Sequence, residues 1–169
     1  MALTDMIVPE FDNEMATTRK TLERIVDEKL DWRPHEKSTT MGGLATHIAN
    51  LPTWAVIGIN DESFDLAPPG QAPVRAPEAK SQAEVLATFD KNVAAARQAI
   101  AGASDEHLAT LWTLLHGGHT VFSLPRVAVL RTFVLSHIIH HRGQLSVYLR
   151  LNDLPVPSIY GPSADEGGF

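Results

Sequence analysis

His137 and His141 stand four residues apart in a stretch that reads as helix, Ser136-His137-Ile138-Ile139-His140-His141-Arg142. On an α-helix that spacing puts both rings on one face, a single turn apart, where two imidazoles can reach the same ion. The chain has eight histidines in 169 residues, so about 0.4 such pairs are expected by chance, and position has to decide. The pair interrupts an apolar stripe of Leu130, Val134, Leu145 and Tyr148, which predicts that both rings face the interior. His47 repeats the pattern elsewhere, sharing a helical face with Leu44, Ile48 and Leu51. Three imidazoles facing one interior need partners, because a buried polar group left unpaired costs about 1–3 kcal/mol. One divalent ion would satisfy all three and leave a coordination position open, the pattern of catalytic metal sites. The alternative is that each ring hydrogen-bonds separately to a carbonyl or hydroxyl in the core.

The other histidines carry less. His140 lies about 100° around the helix from His141 and is expected at the surface or beside the pair. His116 and His119 flank Gly117-Gly118 and read as exposed turn residues, and His35 and His107 fall in polar loops. Trp32, Trp54 and Trp112 read as core anchors, although an aromatic can also line a substrate cavity. Arg142, just after the pair, could face an anionic substrate, but capping or an ion pair is the stronger reading. The chain has no cysteine, which excludes disulfides, thiolate metal ligands, iron–sulfur clusters and cysteine nucleophiles. It also lacks a phosphate-binding glycine loop, a Gly-x-Ser-x-Gly elbow and the glutamate of a His-Glu-x-x-His helix. Fourteen Lys and Arg against twenty Asp and Glu leave a formal charge of −6, which argues against nucleic acid as a partner. No apolar run approaches the ~20 residues of a membrane span, and the first residues lack the basic start of a secretory signal. The expectation is one cytoplasmic domain over residues 1–169.

Four helical segments must position these residues. The first, over 6–29, shows Phe11, Met15, Thr18, Leu22 and Ile25 on one face, with Thr4 or Asp5 as cap and Pro9 in the first turn. The second, over 41–59, opens after Thr39 or Thr40 and buries Met41, Leu44, Ile48, Leu51, Ala55 and Ile59. Pro52 should kink it, because proline cannot bond back to the carbonyl of Ile48. Residues 61–80 are rich in Pro, Gly and acidic groups and read as a long surface connection. A third helix opens on Ser81-Gln82-Ala83-Glu84, the form of a capping box, and runs to Gly102 with Leu86, Phe89, Val93, Ala96 and Ile100 inside. Two apolar stretches around Gly117-Gly118 predict a small β-hairpin. The fourth helix, with Ser123 near its cap and Pro125 near its first position, continues to about Leu151, and an irregular tail follows over 152–169. The fold class expected is all-α, a four-helix bundle with long connections and a small hairpin before the last helix.

At this point the residues resemble a known family. Ser136-His137-Ile138-Ile139-His140-His141-Arg142-Gly143-Gln144-Leu145 is similar to the last helix of the DinB (damage-inducible) family, within the DinB/YfiT-like metalloenzyme superfamily. Trp32-Arg33-Pro34-His35-Glu36 followed by Leu44-Ala45-Thr46-His47-Ile48-Ala49 resembles the start of its second helix, and Pro155-Val156-Pro157-Ser158-Ile159-Tyr160-Gly161-Pro162 resembles its tail. The resemblance implies His47, His137 and His141 as ligands of a divalent ion, zinc or nickel. It also implies an up-down-down-up bundle, a homodimer, and a reaction with a low-molecular-weight thiol such as bacillithiol or mycothiol. The resemblance covers a single bundle domain, without the extra domains of the mycothiol-dependent isomerases and the sulfoxide synthases, so those particular reactions are not the expectation.

Three neutral imidazoles leave the ion its full charge, which favours an anionic fourth ligand, and a coordinated thiol gives up its proton. The leading expectation is therefore a metal-dependent transferase that adds a small-molecule thiol to an electrophile in detoxification or stress. The rivals are a metal-hydroxide hydrolase, for which no carboxylate stands out as general base, and a metal- or ligand-binding protein without catalysis.

Overall fold

Phe11, Met15, Thr18 and Leu22 recur at spacings of four and three, and α1 (Leu3–Leu22) buries that face together with Ile7 and Glu14. This is a computed structural model, which describes residues 2–70 and 76–167; the middle of the 61–80 connection and the last two residues of the tail lie outside them. The helix starts earlier than Met6. Its first amides are met by carboxylates, Ala2 N–H donating to Asp5 Oδ2 at 2.9 Å and Leu3 N–H to Asp105 Oδ1 at 2.8 Å. Pro9 accordingly sits within the helix rather than in its first turn. The helix also stops short of residue 29. Gln82 Nε2 takes the carbonyls of both Glu23 and Ile25 at 2.7 Å, so the chain turns there and forms only a short 3-10 turn at Asp27–Lys29.

Pro52 divides the second segment as its chemistry requires. α2 (Met41–Asn50) and α3 (Thr53–Asn60) are separate, although Leu51 and Pro52 keep right-handed φ values of −57° and −59° between them. Thr40 caps α2 by accepting from Gly43 N–H at 2.9 Å. α4 (Gln82–Gly102) is capped by Ser81, which accepts from Glu84 N–H at 3.2 Å. Glu84 reaches past the cap to Lys80 N–H at 2.8 Å, so the box closes one residue early. A short α5 (Asp105–Ala109) leads into the sheet.

The hairpin is present, and it has an additional strand. β2 (Leu111–His116) and β3 (His119–Pro125) pair antiparallel around Gly117 and Gly118, whose φ values of +60° and +80° make the mirror-image two-residue turn that glycine admits. β1 (Ser63–Asp65) pairs parallel to β2, with Phe64 opposite Leu114. The architecture is thus mostly helical with a three-stranded sheet of order β1-β2-β3, which corrects the all-α expectation. Asp65 fastens β1 to the hairpin, its carboxylate accepting from Ala67, Gly117 and Gly118 N–H at 2.7–2.9 Å. Ser123 lies in β3 and bonds to Thr113 across the pair at 3.0 Å, so it caps nothing.

After β3 the last helical run has three parts: α6 (Arg126–Val129), a π-helical segment Leu130–Leu135, and α7 (Ser136–Leu151). A π turn takes up an extra residue and so rotates the face that follows. The buried stripe of α7 therefore keeps Leu145 as expected but takes Ile138, Arg142 and Leu149 in place of His137, His141 and Tyr148. α1 and α2 each pack against both α4 and α7, and α3 packs on α4. A smaller core of Trp112, Leu114 and Val129 lies under the sheet. Arg126 joins the two parts. Its buried guanidinium donates to the carbonyls of Gly58, Ile59 and Asp61 at 2.6, 3.2 and 2.6 Å, a fixed positive charge at the C-terminal end of α3. Among the described residues, no helix is long and apolar enough to cross a membrane.

Arg142 occupies a core position on α7, 1% exposed, and is matched there by Glu14 of α1 at 2.7 Å. Tyr160 completes the group: its hydroxyl accepts from Arg142 at 2.6 Å and donates to Glu14 Oε2 at 2.8 Å, pinning the tail to both helices. Removing one partner strands the other charge in the core. Glu14→Leu should cost about 3–5 kcal/mol in urea unfolding, whereas Glu14→Leu with Arg142→Leu should cost clearly less than the sum of the two single changes. Additive losses would show that the pair does not act as a unit.

Candidate metal centre

Main-chain pairing sets the position of α2. Met41 N–H bonds to the carbonyl of Trp32 and Gly42 N–H to that of Leu30, both at 2.8 Å. A Cβ on Gly42 would come within 3.2 Å of Leu30, so glycine lets the two segments approach closely. From that anchored start α2 runs to His47, whose neighbours Leu44 and Ile48 are buried against α4 and α7. On α7, His137 and His141 lie beside the buried pair Ile138 and Arg142.

The three rings meet. One ligand nitrogen from each of His47, His137 and His141 lies within 4.8 Å of the others. The Nε2 atoms of His47 and His137 are 3.3 Å apart. The ring centroids of His47 and His141 are separated by 4.5 Å and those of His137 and His141 by 4.8 Å. Two nitrogens about 2.0–2.1 Å from a tetrahedral ion stand roughly 3.3–3.4 Å apart, so the His47–His137 spacing already fits one. The set is not interior as expected. His137 and His141 are half-buried, because the π segment turns the apolar stripe of α7 toward Ile138 and Arg142 and leaves these two histidines on its shoulder, and His47 on α2 is exposed. They stand at the rim of the core, where solvent and solutes can reach them.

The remaining histidines are elsewhere. His140 is exposed, its ring 4.8 Å from that of His141. His116 and His119 face each other across the hairpin end, His107 Nε2 meets the Ile59 carbonyl at 2.7 Å, and His35 Nδ1 accepts from Lys37 N–H at 3.1 Å. Trp112 is fully buried, while Trp54 lines a cavity of about 570 Å³ together with His47, His141, Asn50 and Gln144.

Gln144 is a site residue that the sequence analysis passed over. Its Oε1 lies 2.7 Å from Nδ1 of His141. An Nδ1–H donated to that oxygen leaves Nε2 of His141 with its lone pair free for a ligand bond. The signal was available, since position 144 is three residues on from 141 and therefore on the same helical face.

The electrostatics suit a cation as well. Although His47 as a residue is exposed, the packing around its ring strips away water and pushes its pKa down to about 4, helped by the neighbouring rings of His141 and His137. Burial likewise lowers His137, against the pull of the Phe133 carbonyl, and lowers His141, against that of Gln144. All three are neutral near pH 7, the state in which imidazole binds a metal.

The same shift makes the metal-free protein sensitive to acid. A ring that is harder to protonate when folded than when unfolded gives the unfolded chain the greater proton uptake, so stability is lost as the pH is lowered through that interval. For His47 the fall spans pH 6.5 down to about 4 and levels off below. His47→Gln should flatten the melting temperature against pH in that window, measured with chelator present. An unchanged slope would mean that His47 does not carry the shift.

Comparison with known proteins agrees with this architecture. The profile of the DinB superfamily matches residues 10–145. The uncharacterized protein YrdA of Bacillus subtilis (strain 168) is 31% identical over 170 residues, spanning 96% of this chain and 90% of the relative. A DinB-like protein from Bacillus cereus ATCC 10987, known from its crystal structure, superposes with a TM-score of 0.71 at 25% identity, over 91% of this chain and 95% of that one. The DinB-like YjoA of Bacillus subtilis shares the fold, with a TM-score of 0.64 at 18% identity over 89% of this chain and 96% of that one. A profile that runs through both histidine-bearing helices, with a relative this similar along nearly the whole chain, places the protein in the DinB superfamily.

Proposed function

We propose that His47, His137 and His141 hold one divalent ion, zinc or nickel, and that the protein is a transferase joining a low-molecular-weight thiol to a soft electrophile. The observation that carries this reading is the meeting of three neutral imidazoles, two of which, His47 and His141, line a cavity of about 570 Å³, in a chain with no cysteine of its own. Borderline divalent ions suit a ligand set made only of imidazoles. Bound there, the ion would keep an incoming thiol in its thiolate form at neutral pH.

The chain's residues do the rest. Gln144 holds His141 in one tautomer, and the rim position of the rings admits the thiol from the cavity. Trp54 and its neighbours keep the acceptor beside the sulfur and limit the water around it. With an epoxide as acceptor, the new bond is sulfur to carbon, the broken bond is carbon to oxygen, and the oxygen takes a proton from water. The reading also includes a homodimer, a cytoplasmic role in detoxification or stress, and an up-down-down-up order for α1, α2–α3, α4 and α7. The ring of contacts that α1 and α2 make with α4 and α7 supports a four-helix arrangement of that kind.

Cobalt substitution tests the centre. Bacillithiol or mycothiol added to the cobalt protein should produce a sulfur-to-metal charge-transfer band, absent without metal. His47→Ala, His137→Ala and His141→Ala should each greatly weaken metal binding, Gln144→Leu should weaken it about 10–100-fold, and His119→Ala and His140→Ala should leave stoichiometry unchanged. Full occupancy in a His137→Ala, His141→Ala double variant would remove the site. Silence of the cobalt spectrum toward every thiol, combined with turnover of an ester, would replace thiol transfer by hydrolysis.

A further inference from the structure

The cavity beside the histidines has a definite recognition chemistry. Its volume, about 570 Å³, lies within the range of small-molecule sites. Trp54, half-buried at the start of α3, forms part of its wall. The indole is braced edge-on by two phenyl rings, Phe64 at 5.1 Å and 83° and Phe133 at 5.2 Å and 79°. Phe133 in turn meets the His137 ring at 5.7 Å, so a continuous aromatic contact links the wall to the metal centre. An indole wedged in this way is a rigid platform that loses little freedom when a flat ring packs on it.

Two side-chain amides line the same cavity with complementary free edges. Asn50 Nδ2 donates to the Thr46 carbonyl at 2.8 Å, which fixes the orientation of the amide and leaves Oδ1 as an acceptor. Gln144 gives Oε1 to His141, which leaves its NH2 as a donor. An acceptor from α2 and a donor from α7 lining one cavity match a group that carries both an N–H and a C=O.

We infer that this cavity binds a planar ring bearing an amide edge, with the ring on Trp54 and the amide between Asn50 and Gln144. The inference deepens the proposed function, resting on it for the histidines as reaction centre, and it identifies the body of the ligand as an aryl or heteroaryl amide. Binding of that body needs no ion.

Three neutral probes separate the elements of the claim: benzamide, acetophenone, which keeps the ring and C=O but lacks N–H, and cyclohexanecarboxamide, which keeps the amide but lacks the flat ring. Affinities are read by ligand-observed NMR on the full chain, with metal and with chelator. Benzamide should bind at least tenfold more tightly than either control in both forms. Trp54→Leu should abolish the preference over cyclohexanecarboxamide and Trp54→Phe should retain it. Asn50→Leu should abolish the preference over acetophenone, with His140→Ala as an unaffected control. Equal affinity for the three probes, a preference that survives Trp54→Leu, or binding of benzamide only to the metal form would overturn the inference. Loss of metal binding with the benzamide preference intact would overturn the thiol-transfer reading and leave this one standing.

Discussion

A guanidinium has no place in a helical core unless its charge is matched there, and much of this structure is arranged to match the charge of Arg142. Glu14 comes from the first helix, Thr18 adds a hydroxyl at 3.3 Å one turn along, and Tyr160 returns from the tail to bond to both charged groups. Charges in a medium of low polarity interact strongly and tolerate little displacement. The pair therefore fixes how α7 sits against α1, both in rotation and along its axis. His141 is the residue before Arg142, so its ring is set by the same contact.

The π segment adds a second constraint. A regular helix from Arg126 to Leu151 would carry the apolar stripe through 137 and 141 and put both imidazoles in the core. With an extra residue accommodated between Leu130 and Leu135, the core receives Ile138 and Arg142, and the histidines move to its edge. Ser136 supports the irregular turn, its hydroxyl donating to the Arg131 carbonyl at 3.0 Å. The polar side chains that serve chemistry and those that serve packing thus occupy adjacent positions on one helix. This juxtaposition leaves the imidazoles accessible without removing their neighbours from the core.

What could be read from the sequence was whatever depends on near neighbours. The stripe from Phe11 to Leu22, the serine cap at Ser81, the break at Pro52 and the turn at Gly117-Gly118 are each decided within a few residues, and each is found in the structure. The approach of His137 and His141 follows from helical spacing, and His47 joins them because α2 packs on α7. Distant partners left no local trace. Ser63–Asp65 has no strand pattern of its own and becomes a strand because β2 offers it an edge. The first helix stops at Leu22 because Gln82, far along the chain, claims the next carbonyls. The burial of Arg142 depends on a carboxylate 128 residues away, and the π turn that repositions the histidines has no recognised sequence signature.

The distance along the chain between Glu14 and Arg142 also bears on synthesis. As the polypeptide leaves the ribosome, the carboxylate of α1 emerges long before its counterion, and His47 emerges 90 residues before His137. The partial chain can form α1, α2 and α4, but it has neither the charge that closes the core nor the second and third imidazoles. Contacts of such long range delay folding until the late segments arrive. Nascent chains ending before α7 should thus remain open to chaperones and poor at capturing metal, so that ion loading follows completion of the fold.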